Sequence, residues 1–154
     1  MKKRLGIYIH IPFCASKCSY CDFYSLQGCD YIMPDYQEAL LDHIEESSHS
    51  IKNYEVDSIY FGGGTPSYYG ADRIVEIFDT LKLNGNVRLD SEVTVECNPD
   101  SISLTALKLL RAEGLNRLAV VPCPALHRAH HQSGRGVGGR TLGGVSGHDM
   151  PDLV

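Results

Sequence analysis

Strand and helix signals alternate three times between residues 5 and 118, which restricts the chain to an α/β fold with parallel strands. Residues 5–11 carry Ile7, Ile9 and Ile11 at every second position, and Pro12 ends the run. From Pro34 the pattern turns helical, with Tyr36, Leu40 and Ile44 at i, i+4 and i+8 and acidic residues early. Residues 56–61 predict a second strand closed by Gly62, Gly63 and Gly64. Ile74, Ile77, Phe78 and Leu81 then mark one face of a helix. Residues 92–96 predict a third strand, ended by Asn98 and Pro99. Ser103 is the expected N-cap of a helix through Glu113 that turns Leu104, Leu107 and Leu110 inward and stops at Gly114. Residues 115–121 are expected to begin a fourth strand.

Every unusual cluster follows a strand directly: residues 14–21, 62–66 and 96–99. In parallel sheets and barrels ligands bind at the C-terminal strand ends, so three separate loops converge on one mouth. The surrounding composition narrows what that mouth serves. Fourteen basic residues stand against 19 acidic ones, a net charge of -5, and nothing here would neutralise a run of phosphates. Nucleic acid is therefore not an expected partner. No apolar run is long enough to span a bilayer. Residues 5–13 follow Lys2, Lys3 and Arg4, but His10 and Pro12 interrupt them, so a signal peptide is not expected.

Three of the six cysteines, Cys14, Cys18 and Cys21, fall within eight residues. A disulfide framework would spread its cysteines; a tight triplet reads as a metal site in a reducing compartment, the cytosol by default. Three thiolates on a cubane iron–sulfur cluster leave one iron with open coordination. A structural zinc would need a fourth ligand, which Cys29 or His10 could supply, although no second cysteine pair appears. The adjacent run Gly63, Gly64 and Thr65 allows backbone to approach a ligand closely. Glu96 is placed to accept hydrogen bonds from ligand hydroxyls. Taken singly, a glycine run is often only a turn, and a strand-end glutamate is more often an ion-pair partner.

The text Tyr8-Ile-His-Ile-Pro-Phe-Cys14, followed by Cys18, Tyr20, Cys21 and Phe23, then Phe61-Gly-Gly-Gly-Thr-Pro66 and Glu96-Cys-Asn-Pro99, resembles the radical S-adenosylmethionine superfamily. More narrowly it is similar to the oxygen-independent coproporphyrinogen III oxidase family and its heme-chaperone, HemW-type branch. The resemblance covers about residues 5–118. It implies the N-terminal part of a partial (βα)6 TIM-like barrel, about three βα units, in which Cys14, Cys18 and Cys21 hold a [4Fe-4S] cluster. The open iron would chelate S-adenosylmethionine, whose reductive cleavage yields methionine and a 5′-deoxyadenosyl radical. By position, Tyr8 and Tyr20 would flank that cofactor, Gly63, Gly64 and Thr65 would line its methionine part, and Glu96 would meet the ribose. The oxidases carry a further cysteine two positions after the third ligand, where this chain has Phe23. That difference resembles the chaperones, which bind heme and deliver it to partner proteins. The implied partners are heme or a porphyrinogen, a reductant such as a flavodoxin or ferredoxin, and a heme-accepting protein.

Composition changes abruptly after Leu118. Residues 1–118 hold all nine Tyr, all four Phe and 17 of the 19 acidic residues, whereas 119–154 hold 7 of the 15 Gly and 4 of the 7 His. Residues 119–154 show neither helical nor strand periodicity and are expected to be disordered. The grouping of His127, His130 and His131 lacks a periodic scaffold to shape it into a metal site. The family pattern stops at the same place, with Cys123 where a cofactor-contacting glutamine would fall. A reading-frame shift near codon 119 is the expectation; a natural short protein with a flexible end is the alternative. Loss of the later units would leave strand edges and helix faces without neighbours.

Overall fold

A computed structural model describes residues 2–18 and 21–121. Strand β1 (Lys3–Ile11) leads into the cysteine loop, whose ends form a short parallel pair, β2 (Phe13–Cys14) with β3 (Leu26–Gln27). Helices α1 (Met33–Glu46) and α2 (Ser48–Ile51) carry the chain to β4 (Tyr54–Gly63). A four-residue turn of helix, α3 (Pro66–Tyr69), precedes α4 (Ala71–Asn84) and β5 (Val87–Cys97). Helix α5 (Leu104–Ala112) and β6 (Arg117–Val120) complete the described elements.

The main sheet runs β1-β4-β5-β6, parallel throughout. Strand parity divides its two faces. Ile9, Ile11, Ile59, Phe61, Val93 and Val95 are buried together with Ile44 of α1, Ile77 and Leu81 of α4, and Leu110 of α5. The opposite parity carries Tyr8, His10, Tyr60, Thr94 and Glu96, which form neighbouring rows across the register. Only the first of these faces is apolar, so the helices collect there by burying it.

The expected α4 stripe is the core of this layer: Ile74, Ile77, Phe78 and Leu81 are all buried. In α1 only Ile44 of the expected stripe is fully buried, while Tyr36 and Leu40 pack at the core margin. The α5 stripe needs a correction. Leu110 is buried and Leu107 half-buried, but Leu104 is 68% exposed. Three-residue steps turn a helix back by about 60° each, so positions 104 and 110 lie about 120° apart and cannot share one inward face.

Both ends of α5 follow the sequence reading. The Ser103 hydroxyl accepts from the Ala106 N–H at 3.1 Å. Gly114 adopts φ +103, with the Gly114 N–H donating to Arg111 O and the Leu115 N–H donating to Leu110 O. These two bonds satisfy the carbonyls that a helix end leaves open, and the left-handed residue that makes them possible is cheapest as glycine. Ser103→Ala is expected to lower stability by about 1 kcal/mol, seen as a lower urea midpoint at constant slope. An unmoved midpoint would show that the cap contributes nothing.

Strands β1, β4 and β5 are longer than the sequence patterns suggested, while β6 is shorter than the expected 115–121. Strand β5 begins at Val87, five residues before the predicted run, because its first half includes the exposed polar stretch around Asp90. Strand β6 runs through Val120, two residues past Leu118, and the Val121 N–H still donates to Cys97 O at 2.9 Å. Among the described residues no helix is long and apolar enough to cross a membrane. The three histidines at 127, 130 and 131, and Cys123, lie outside the described residues.

Candidate cofactor site

The three post-strand loops meet at one pocket. Its lining includes Cys14, Ser16, Cys18 and Cys21 from the first loop, Gly63, Gly64 and Thr65 from the second, and Glu96 and Cys97 from the third. The first two loops are joined by backbone bonds: the Gly64 N–H donates to Ile11 O at 2.7 Å and the Thr65 N–H to Phe13 O at 2.8 Å. Thr65 Oγ1 also lies 3.5 Å from Cys14 Sγ. A Cβ on Gly64 would fall 2.6 Å from Phe13 O and 3.0 Å from Cys14 Sγ, so only glycine allows this approach.

The cysteine loop is closed at its root and braced across its middle. The Leu26 N–H donates to Pro12 O at 2.6 Å, beside the β2–β3 pairing. Lys17 Nζ donates to Phe23 O at 2.8 Å and to Ser25 Oγ at 3.0 Å, while its backbone N–H donates to Gln27 Oε1. Beneath the loop, the fully buried Phe13 ring stacks on Tyr69 with centroids 5.3 Å apart. The first thiol is therefore mounted on a packed aromatic anchor rather than on a free coil.

Among the described residues Glu96 is in no ion pair. Its Oε1 accepts from Tyr60 OH at 2.8 Å and its Oε2 from the Gly63 N–H at 3.2 Å. Carboxylate oxygens have further lone pairs, so the group can still accept from a ligand. Burial, followed by the Glu96 contact, pushes the Tyr60 phenol up to about 12, so it stays a donor throughout the neutral range. Burial likewise pushes the Cys97 thiol up to about 11, with Glu96 adding to the effect. Cys97 is thus a neutral wall of the pocket, at once part of the core and of the lining.

The third loop is fastened to α3 by polar groups that sequence reading missed. The Asn98 N–H donates to Ser67 Oγ at 3.0 Å, Ser101 Oγ donates to Asn98 O at 3.0 Å, and the two serine hydroxyls bond each other. Tyr60 was also missed. Its pairing with Glu96 depends on the β4–β5 register, in which Tyr60 lies beside Thr94, and local sequence does not reveal that register. The only available signal was its parity with Gly62 along one strand.

Tyr8 lies on the same sheet face but does not line the pocket. Its ring stacks on Tyr60 at 6.1 Å, and its hydroxyl lies 3.1 Å from His10 Nδ1. Tyr20 lies outside the described residues. Neither candidate fourth zinc ligand reaches the pocket: His10 Nε2 lies 3.1 Å from Tyr24 O, and the Cys29 thiol faces Gln27 O. Among the described residues no three His, Cys, Asp or Glu side chains are gathered closely enough to hold a single metal ion. A single ion needs its ligands within one coordination sphere, whereas in a cubane each thiolate takes its own iron. Three cysteines around one pocket fit the second requirement by donor type.

A family model described as the Radical SAM superfamily matches residues 8–121. The chain is 35% identical over 117 residues to the heme chaperone HemW of Buchnera aphidicola, covering 75% of this chain and 31% of that one. It is 32% identical over 126 residues to the oxygen-independent coproporphyrinogen III oxidase of Salmonella typhimurium, covering 77% and 26%. The solved structure of coproporphyrinogen III oxidase (HemN) from Escherichia coli superposes with a TM-score of 0.71 at 31% identity, over 77% of this chain and 27% of that one. The chain therefore spans between a quarter and a third of the length of these relatives. Its parallel sheet corresponds to part of the TIM-like barrel of HemN, and among the described residues the helices pack on the face opposite Tyr60 and Glu96.

Proposed function

Because this chain belongs to the radical SAM superfamily, we propose that Cys14, Cys18 and Cys21 hold a [4Fe-4S] cluster and that Gly63, Gly64, Thr65 and Glu96 bind S-adenosylmethionine beside it. The observation that carries this reading is the meeting of all seven residues at one pocket. When bound, the cluster supplies the electron for reductive cleavage of the sulfonium. The chain's own contribution is binding and orientation. The close-packed Gly64 backbone holds the second loop against the thiol loop, so that Gly63, Gly64 and Thr65 would meet an amino-acid moiety in the pocket they line. Glu96, held by Tyr60 and the Gly63 N–H, presents a fixed acceptor to a ribose diol. Tyr8 and Tyr20 join the reading as its flanking aromatics, with Tyr8 acting through the Tyr60 ring that it stacks upon.

Within the family the proposed role is that of a heme chaperone, which would pass heme to an acceptor protein and draw electrons from a flavodoxin- or ferredoxin-like donor. Phe23 supports this branch: it lines the pocket two residues after Cys21, where the oxidases carry another cysteine. The oxidase reading is supported by a structural likeness to HemN and by nearly equal identity to the Salmonella enzyme. Anaerobic reconstitution of the full chain with ferrous iron and sulfide tests both. About four irons per chain are expected, with heme then bound stoichiometrically and no porphyrinogen consumed. Less than about one iron would overturn the cluster reading; decarboxylation of coproporphyrinogen would move the chain to the oxidase branch.

A further inference from the structure

Among the described residues, one buried side-chain polar atom has no hydrogen-bond partner: Ser16 Oγ. An unpaired buried hydroxyl is a net cost, and folded chains rarely keep one without a use for it. Ser16 lies between Cys14 and Cys18 on the braced loop and lines the pocket with both of them. Its neighbours make the vacancy specific. Thr65 Oγ1 faces Cys14 Sγ, Ser25 Oγ takes the Lys17 ammonium, and Ser67 and Ser101 bond each other. Of the described hydroxyls around this loop, only that of Ser16 is both buried and unspent.

A serine hydroxyl can donate one hydrogen bond, and the loop that carries it brings the sulfurs of Cys14, Cys18 and Cys21 to the same pocket. The geometry points to Ser16 as a hydrogen-bond donor to the sulfur of the iron–sulfur group held by the loop, and so as a positioning residue that tunes its redox potential. This rests on the cluster reading above. A donor to sulfur disperses the negative charge that grows on reduction, which favours the reduced state and raises the potential. It also holds the group in the loop, because leaving would strand the hydroxyl again.

The two states of the protein should respond to Ser16→Ala with opposite signs. Without iron the variant should melt at or above the wild-type temperature, since it loses an unpaired buried hydroxyl. With iron, and before S-adenosylmethionine is added, its potential should be more negative and iron should pass to a chelator about tenfold faster. Ser16→Thr, which keeps the hydroxyl, should stay at the wild-type potential. A lower melting temperature in the iron-free Ser16→Ala chain would overturn the inference by showing a structural role. So would an unchanged potential and unchanged iron release, including the case where only S-adenosylmethionine affinity falls. Wild-type chain that takes up no iron overturns the cluster reading itself, and this inference with it. Wild-type and variant that load equally and behave alike overturn the inference alone.

Discussion

Cys14→Ala should abolish the visible absorbance and the reduced-state paramagnetic signal of a reconstituted [4Fe-4S] cluster, with iron falling from about four per chain to less than about one. Two thiolates cannot hold a cubane whose fourth iron is already without a protein ligand. The loss would be local. Cys14 is half-buried at the end of the two-residue strand β2, and the anchor beneath it, Phe13 stacked on Tyr69, is untouched. Removing one small side chain there should cost about 1 kcal/mol of stability. Cys29→Ala is the paired control, because the Cys29 thiol faces Gln27 O away from the pocket, and that variant should load fully. Full iron and sulfide in Cys14→Ala would refute the ligand assignment. Loss of iron in Cys29→Ala would reinstate a four-cysteine site.

Gly64→Ala should be strongly destabilising. The new Cβ would meet Phe13 O at 2.6 Å, the Pro12 carbonyl carbon at 2.9 Å and Cys14 Sγ at 3.0 Å. Two of those three atoms are backbone, and backbone cannot swing away as a long side chain can. Phe13 O is also the acceptor of the Thr65 N–H, and the Gly64 N–H is bonded to Ile11 O, so any retreat stretches the bonds that join the two loops. Overpacking and those weakened bonds together suggest about 3 kcal/mol. For a domain of this size that corresponds to a melting temperature lower by roughly 10 °C. Gly28→Ala provides the comparison. Gly28 has φ +68 but nothing within 4 Å of its added Cβ, so only backbone strain of about 1 kcal/mol applies. Equal losses at the two positions would show that the close contact of the Gly64 backbone with the cysteine loop is not what holds them together.

The site is legible in the sequence where its chemistry is local. The three loops could be placed at strand ends because Pro12, the glycine run and Asn98-Pro99 each stop a β-branched stretch, and such stops need only nearest neighbours. The α4 stripe and both caps of α5 were legible for the same reason: a helix satisfies its backbone within four residues, so its faces and ends are written in nearby side chains. Leu104 leaves the inward face because three-residue steps rotate around a helix instead of running straight along it. The strand lengths are a different matter. The first half of β5 lacks an alternating apolar pattern, with Arg88, Asp90 and Ser91 in it, and it is a strand because β4 pairs with part of it.

The sequence by itself determined the donor types and the order in which they arrive: three cysteines, a run of small backbone, one carboxylate, each at the end of a strand. Those depend on residue identity and on short-range punctuation, which survive without any knowledge of pairing. Only the tertiary structure decided the partners. Register between β4 and β5 brings Tyr60 to Glu96 across 36 residues, and the missing Cβ of Gly64 brings two loops to within a hydrogen bond across about 50. Tertiary packing likewise leaves Tyr8 behind Tyr60 rather than in the pocket, and leaves the Ser16 hydroxyl buried without a partner. Contacts between residues so far apart follow from how the sheet is assembled, and no local propensity carries that information.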